Sequence, residues 1–249
     1  MNKMISFLLT ATLAACAQAP ESPYPVVKFN KDGGAKADAV AATMIHHGSI
    51  ALAYKNFQIQ VDPVAKMGGG EIDYSAFPKA DLILVTHDHG DHLDPGAIEL
   101  LSKDGTRVIL NAASQQKLGR GEVLANGESA QVGPVKVLAV PAYNNTEGHL
   151  QFHPKGQNNG YILEFNGLRI YVSGDTEDIE EMASFAPIDV AFLSANQPYT
   201  MTVEQCVRAA KALKPKTLVP YHLSNTDVQA IKDGLADTGI EVLLFEELR

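Results

Sequence analysis

The apolar run Leu82-Ile83-Leu84-Val85-Thr86 ends in His87, Asp88, His89, Asp91 and His92, five metal-capable residues within six positions. A short apolar run rich in branched residues reads as a buried strand. The chain must therefore adopt a fold that opens a polar cluster at the end of a buried strand. In an extended segment alternate side chains share a side, so His87 and His89 can face one cation together. A turn at Gly90 then carries Asp91 and His92 to a second. Imidazole and carboxylate suit two zinc ions, with Mn or Fe as alternatives because no thiolate is at hand to select a softer ion. A solvated polar turn is the competing reading, but it leaves unexplained why three of the eight histidines gather here.

Around this run, stretches rich in Val, Ile and Leu alternate with turn signals. Strands are predicted at Thr43–Ile45, Ile50–Ala53, Gln58–Val61, Leu82–Thr86, Val108–Leu110, Val135–Val140, Tyr161–Phe165 and Arg169–Val172. Val190–Ser194, Thr217–Pro220 and Val242–Phe245 follow, now separated by helical patterns at Ile179–Phe185, Thr202–Leu213 and Asp227–Ala236. Thr202 and Gln205 form a capping box, with Pro215 beyond the helix end. Pro95–Leu101 is a further predicted helix, Pro95 suiting its first turn. Early hairpins and strand-helix-strand units in both halves imply an α/β layered domain with sheets between helices. Met67-Gly68-Gly69-Gly70 lacks the Gly-Lys-Ser/Thr ending of a phosphate loop and reads as a mobile loop. The formal charge of −9 excludes a nucleic-acid surface, which would show clustered Lys and Arg, and favours small-molecule substrates.

The N-terminus has the layout of a secretory signal: Lys3, an apolar stretch from Met4 to Leu13, then Leu13-Ala14-Ala15-Cys16. The stretch is shorter than the about 20 residues of a spanning helix. Leu13-Ala14-Ala15-Cys16 resembles the bacterial lipoprotein signal. That resemblance implies removal of residues 1–15, lipidation of Cys16 and, with Ala17 in place of Asp, anchorage at the outer membrane of the cell envelope, facing the periplasm. An ordinary cleaved signal with an incidental Cys16 is the alternative. Residues 16–25 then form a tether and 26–249 a single domain. With Cys16 lipidated, Cys206 has no disulfide partner; it lies in a helical pattern and reads as a buried apolar residue.

The segment Thr86–His92 resembles the signature of the metallo-β-lactamase superfamily, whose fold is a four-layer αββα sandwich with metal sites at the sheet edges. Further segments fit that resemblance in order. Gln60-Val61-Asp62-Pro63 matches the early strand whose Asp orients a metal-binding His. Tyr171–Thr176 matches the segment whose Asp bridges two metals, and Val219-Pro220-Tyr221-His222 the one supplying the last His. Within the superfamily, His47-Gly48-Ser49, Pro141–Asn144, His153-Pro154-Lys155-Gly156 and Tyr199-Thr200-Met201 resemble the group around ascorbate-phosphate lactonases and N-acyl-phosphatidylethanolamine phospholipases. One segment departs from the superfamily pattern. Where a metal-binding His commonly follows the strand Val135–Val140, this chain has Tyr143, Asn144 and Asn145. His149 and His153 lie further along the same loop, and the subgroup pattern points to His153.

The resemblance thus implies one metal held by His87, His89 and His153, a second by Asp91, His92 and His222, and Asp175 between them. It makes Asp91 also a proton acceptor and Asp62 a support behind a ligand. Asp88 either orients a ligand or shuttles a proton, or stabilises its turn. His47 is a supporting donor, a substrate contact, or a strand-end His satisfied by backbone; His46 points the other way. Asn144 and its neighbours are loop amides able to hold substrate oxygens, and His149 is placed with them. The implied activity is metal-assisted hydrolysis of a phosphodiester, lactone or related ester, a lipid headgroup included. The rival reading is a metal-binding lipoprotein without catalysis, a zinc carrier or an inactive scaffold.

Overall fold

The computed structural model describes residues 22–249; the predicted leader, Cys16 and the tether as far as residue 21 lie outside the described residues. In the first sheet β1 (Val26–Phe29), β2 (Val40–His46), β3 (Ser49–Tyr54) and β4 (Phe57–Val61) pair antiparallel in sequence order. A small hairpin, β5 (Lys66–Met67) and β6 (Gly70–Glu71), leaves the sheet. It resumes with β7 (Leu82–Leu84), β8 (Arg107–Leu110) and β9 (Glu122–Val123), added in parallel beyond β4. The second sheet repeats the plan. Antiparallel β10 (Ser129–Val132), β11 (Val135–Ala142), β12 (Asn158–Phe165) and β13 (Leu168–Val172) precede parallel β14 (Val190–Ser194), β15 (Thr217–Tyr221) and β16 (Glu241–Val242).

Strand periodicity builds the layers. On β7, Leu82 and Leu84 belong to the large core shared by the two sheets. Ile83 and Val85 instead join Ala97, Ile98 and Leu101 of helix α1 (Pro95–Leu101) in a second core. Helix α2 (Ala112–Leu118) follows β8. On the other side, Cys206, Ala209, Ala210 and Leu213 of α3 (Val203–Leu213) are buried in the large core, with α4 (Val228–Asp233) beside α3. Helix, sheet, sheet, helix makes four layers, as the resemblance implied. Phe29 meets Phe192 edge-on at 6.4 Å and Tyr54 meets Phe165 at 5.5 Å, tying the sheets face to face. Burial of each such aliphatic or aromatic side chain contributes roughly 1.5–3 kcal/mol. Among the described residues no helix is long and apolar enough to cross a membrane.

Several local expectations need correction. Ile179–Phe185 is not an α-helix: only Glu180–Ser184 coil, as a 3-10 stretch with no side-chain cap, because so short an uncapped segment does not offset helix nucleation. The last helix is trimmed to Val228–Asp233; Asp227 caps it by accepting from the Gln229 and Ala230 amides, and Gly234 ends it. The predicted strand Val242–Phe245 is reduced to Glu241–Val242, an edge pair on β15. β7 stops at Leu84 because the Thr86 amide donates to the Asp62 carboxylate instead of a neighbouring strand. Met67–Gly70 closes a small hairpin; Gly68 and Gly69 take the left-handed φ of 59° and 84° that its turn needs. At the other end, the capping box at Thr202 and Gln205 is formed in both directions. Tyr24 already packs on Phe77, and the Pro25 carbonyl accepts from Met44, so contact with the domain begins just before Val26.

Candidate metal centre

All the chemistry-bearing segments leave the C-terminal ends of strands at one edge of the sandwich. The first sheet brings His47 after β2, Asp62 after β4 and His87–His92 after β7; the second brings the 143–157 loop after β11, Asp175 after β13 and His222 after β15. The sheets are stitched together at this edge. The Thr86 carbonyl accepts from the Asn159 amide at 3.0 Å, and the Tyr161 hydroxyl donates to the Val85 carbonyl at 2.8 Å. A Cβ on Gly174 would stand 2.7 Å from the Asn159 carbonyl and 3.0 Å from Thr86 Cβ, and its φ is +62°. Only glycine lets the Asp175 turn come this close.

Asp175 is the centre of the cluster. Its Oδ2 lies 3.4 Å from His153 Nε2, 3.3 Å from His222 Nε2 and 3.9 Å from His87 Nε2, while Oδ1 lies 3.4 Å from His92 Nε2. His89 Nδ1 is 3.0 Å from His87 Nε2. Asp91 Oδ2 stands 3.4 Å from His222 Nε2 and 3.7 Å from His92 Nε2. His87, His89 and His153 offer donor atoms within 4.8 Å of one another, and so do His47, Asp91 and His222, and His87, His92 and Asp175.

The donors fit divalent cations. With metal bonds of about 2.0–2.1 Å, two donors of one tetrahedral ion stand about 3.3–3.4 Å apart, close to the spacings around Asp175. His92 Nε2, His153 Nε2, His222 Nε2 and Asp175 Oδ1 are buried without a hydrogen-bond partner among the described residues. Buried polar atoms are ordinarily paired; these aim at common points, and a cation at each would satisfy them. The loop substitution is also resolved geometrically: His153 enters the cluster, whereas His149 turns to Glu177 at 3.1 Å.

The imidazoles of the cluster are held from behind. Asp62 Oδ2 stands 2.8 Å from His92 Nδ1, and Asp62 also accepts from the Thr86 amide and hydroxyl, each at 2.7 Å. His153 Nδ1 lies 2.7 Å from Asn144 Oδ1 and 3.1 Å from the Tyr199 carbonyl, to which Asn144 Nδ2 also donates. Such contacts fix the tautomer and aim Nε2 inward. Burial pushes the His87 imidazole well below its usual range, and takes His153 down to about 4 against the opposing pull of Asp175. Burial would lower His92 too, but Asp175 and Asp62 outweigh it and hold that imidazole well above. For Asp175, burial raises the carboxyl, but His222, His92 and His87 keep it well below the usual carboxylate range.

The cluster opens into a cavity of about 370 Å³ walled by Met67, Phe152, Tyr199, Asn196 and Ser224. Phe152 and Tyr199 pack edge-on at 5.0 Å. Asp88 does not line this cavity; its backbone carbonyl accepts from the Lys117 ammonium. Sequence reasoning missed Phe152 and Asn196, which are ordinary residues in loops, and read Met67 only as part of a mobile loop, whereas it ends β5. It also missed Glu177, which accepts from the Asn145 and Thr146 amides and shapes the loop carrying His153. For Tyr199 the signal was the segment Tyr199-Thr200-Met201.

Residues 42–222 match the family model described as the β-lactamase superfamily domain. The chain belongs to the β-lactamase superfamily. Among its superfamily relatives, a metal-dependent hydrolase of Pyrococcus abyssi is 36% identical over 184 residues, spanning 68% of this chain and 80% of the relative. A metal-dependent hydrolase of Thermococcus kodakarensis is 35% identical over 153 residues, 58% of this chain and 67% of the relative. A crystal structure from Parabacteroides distasonis, of a protein named as a metal-dependent hydrolase, shares 49% identity. It superposes with a TM-score of 0.85 over 91% of this chain and 100% of that one. The metallo hydrolase of Ignicoccus hospitalis, at 24% identity and a TM-score of 0.70, covers 84% of this superfamily member and 96% of its own chain, and shares the fold.

Proposed function

We propose that this metal-dependent hydrolase holds two divalent cations, zinc or alternatively Mn or Fe, and cleaves a phosphodiester, lactone or related ester with water. The observation that carries the reading is Asp175, a buried carboxylate with three histidine Nε2 atoms at 3.3–3.4 Å drawn from both halves of the cluster. Cations held there supply Lewis acidity to a substrate oxygen and lower the pKa of water to about 7.

The chain's own residues do the rest. Asp91, with its side chain 34% exposed, is the cluster carboxylate open to the cavity, and it accepts the proton that the attacking water gives up. Burial opposes its ionised form, but His222 and His92 keep its carboxyl below the usual range, so it is ionised and free to accept a proton at neutral pH. The same proton then passes to the leaving oxygen as the ester bond breaks. Asp62 through His92, and Asn144 with the Tyr199 carbonyl through His153, keep the rings aligned. Met67, Phe152 and Tyr199 pack against the substrate body and exclude water. A β-lactam is the less favoured substrate, since Cys206 is buried in α3 and offers no thiolate to the centre.

Phosphodiesters and lactones are favoured by the likeness of the His153–Gly156 and Tyr199–Met201 segments to the lactonase and phospholipase group. A lipid on Cys16 would hold the site beside the periplasmic face of the outer membrane, within reach of lipid headgroups. The test is hydrolysis by the cation-loaded protein of a panel joining a chromogenic phosphodiester, simple lactones and a β-lactam. Chelator-sensitive turnover that is lost in His89→Ala supports the reading. Bound metal without turnover on any member contradicts it and favours a metal carrier.

A further inference from the structure

His47 stands beside the cluster yet belongs to neither ligand set implied by the resemblance. It is the first residue of the turn joining β2 to β3 and has a φ of +47°. A turn with positive φ at its first residue ordinarily takes glycine there; here histidine comes first and Gly48 second. Side chains in the left-handed region are uncommon and gather where a site over-determines the backbone. Asp62 and His222 share that conformation, at φ +45° and +54°.

The turn is clamped onto the cluster. The His47 amide donates to the Glu247 carbonyl at 3.2 Å, and the His47 carbonyl accepts from the His222 amide at 3.1 Å. A Cβ on Gly48 would lie 3.0 Å from His92 Cε1 and 3.6 Å from His222 Cδ2. The turn backbone therefore rests directly on two of the rings. The His47 ring packs 3.7 Å from that of His222, with its side chain 4% exposed and Nδ1 buried without a partner among the described residues. His47 Nε2 is 3.9 Å from Asp91 Oδ2, and donor atoms of His47, Asp91 and His222 all lie within 4.8 Å of one another. With bonds of about 2.1 Å, neighbouring donors of one ion stand about 3 Å apart and opposite ones about 4.2 Å. The Asp91 spacing falls inside that range.

We infer that His47 is a further donor to the cation position formed by Asp91, His92 and His222. The inference rests on the two-cation reading proposed above. With Asp175 that position has five protein donors, more than a tetrahedral zinc site uses, whereas His87, His89 and His153 suit zinc. The two positions therefore differ in metal preference, the one at His47 favouring an ion of higher coordination such as Mn²⁺ or Fe²⁺.

A crystal structure of the unmodified protein loaded with Mn²⁺ tests this directly. His47 Nε2 is expected at about 2.0–2.3 Å from one ion; a separation beyond about 3 Å overturns the inference. In solution, His47→Ala should weaken one of two bound Co²⁺ ions by about tenfold or more, leave the other unchanged, and intensify the visible absorption as the coordination number falls. Two ions held with unchanged affinity and spectrum, alongside a raised KM, would make His47 a substrate contact instead. An unmodified protein that binds no divalent cation would remove the two-cation reading itself, a result distinct from intact binding without His47.

Discussion

His92 Nδ1 and Asp62 Oδ2 stand 2.8 Å apart, both side chains wholly buried. Asp62 gathers the Thr86 amide, the Thr86 hydroxyl and the His92 ring at one carboxylate, so the strand end and an imidazole of the cluster share one support. This aims His92 Nε2 at Asp175 and Asp91.

Replacing Asp62 by Asn removes the charged acceptor while preserving shape. Loss of such a support behind a ligand costs about 10–100-fold in metal affinity or activity. Competition titration against a chelator should show that weakening in Asp62→Asn. Unchanged affinity would mean that His92 is not a ligand or is fixed by other contacts.

Asp189 joins three elements away from the centre. It accepts from Lys31 at 2.9 Å, from the Arg169 amide at 2.9 Å and from Lys216 at 3.0 Å, with its side chain 5% exposed. Burial pushes its carboxyl up, but these donors outweigh it and hold it below the usual range. A carboxylate depressed on folding contributes stability that is present above its unfolded pKa, about 3.9, and is lost as pH falls through the folded value. Lys31 is the largest of the lowering influences and the Arg169 amide the next, and solvent screens the lysines, which are 39% and 46% exposed. Asp189→Asn should lose about 1–3 kcal/mol at pH 7 by urea unfolding, with the gap narrowing below about pH 4. A gap that widens in acid would contradict this account.

Cys206 is wholly buried in α3, and burial pushes its thiol up to about 12. The thiolate is the reactive form. The folded protein should therefore resist a disulfide reagent at pH 8, with Cys206 reacting rapidly only in denaturant. Fast reaction at Cys206 without denaturant would show α3 to be loosely docked.

Much of the fold was legible because its long strands are buried on both faces. Val190–Leu193 is an unbroken apolar run and Tyr161–Phe165 is broken only by Glu164, and Thr202 with Gln205 announces a helix start. α2 was missed because Ala112–Leu118 is small and polar with only Ser114 buried, although Asn111 caps it and Gly119 ends it in the left-handed conformation. β10 was missed because only Val132 of Ser129–Val132 is buried. At the site, the spacing of His87, His89, Asp91 and His92 spoke for itself. The choice between His149 and His153 rested on resemblance, because both lie on one loop and no periodicity orders loop side chains. Glu177 had no pattern at all; its importance arises only when the loop folds back upon it.

The central claim is that Asp175 joins two cation positions, and elemental analysis of Asp175→Ala beside the unmodified protein measures it most directly. The expected result is two divalent ions per unmodified chain and loss of one or both in the variant, with the fold retained by circular dichroism. Two ions retained in folded Asp175→Ala would contradict the account.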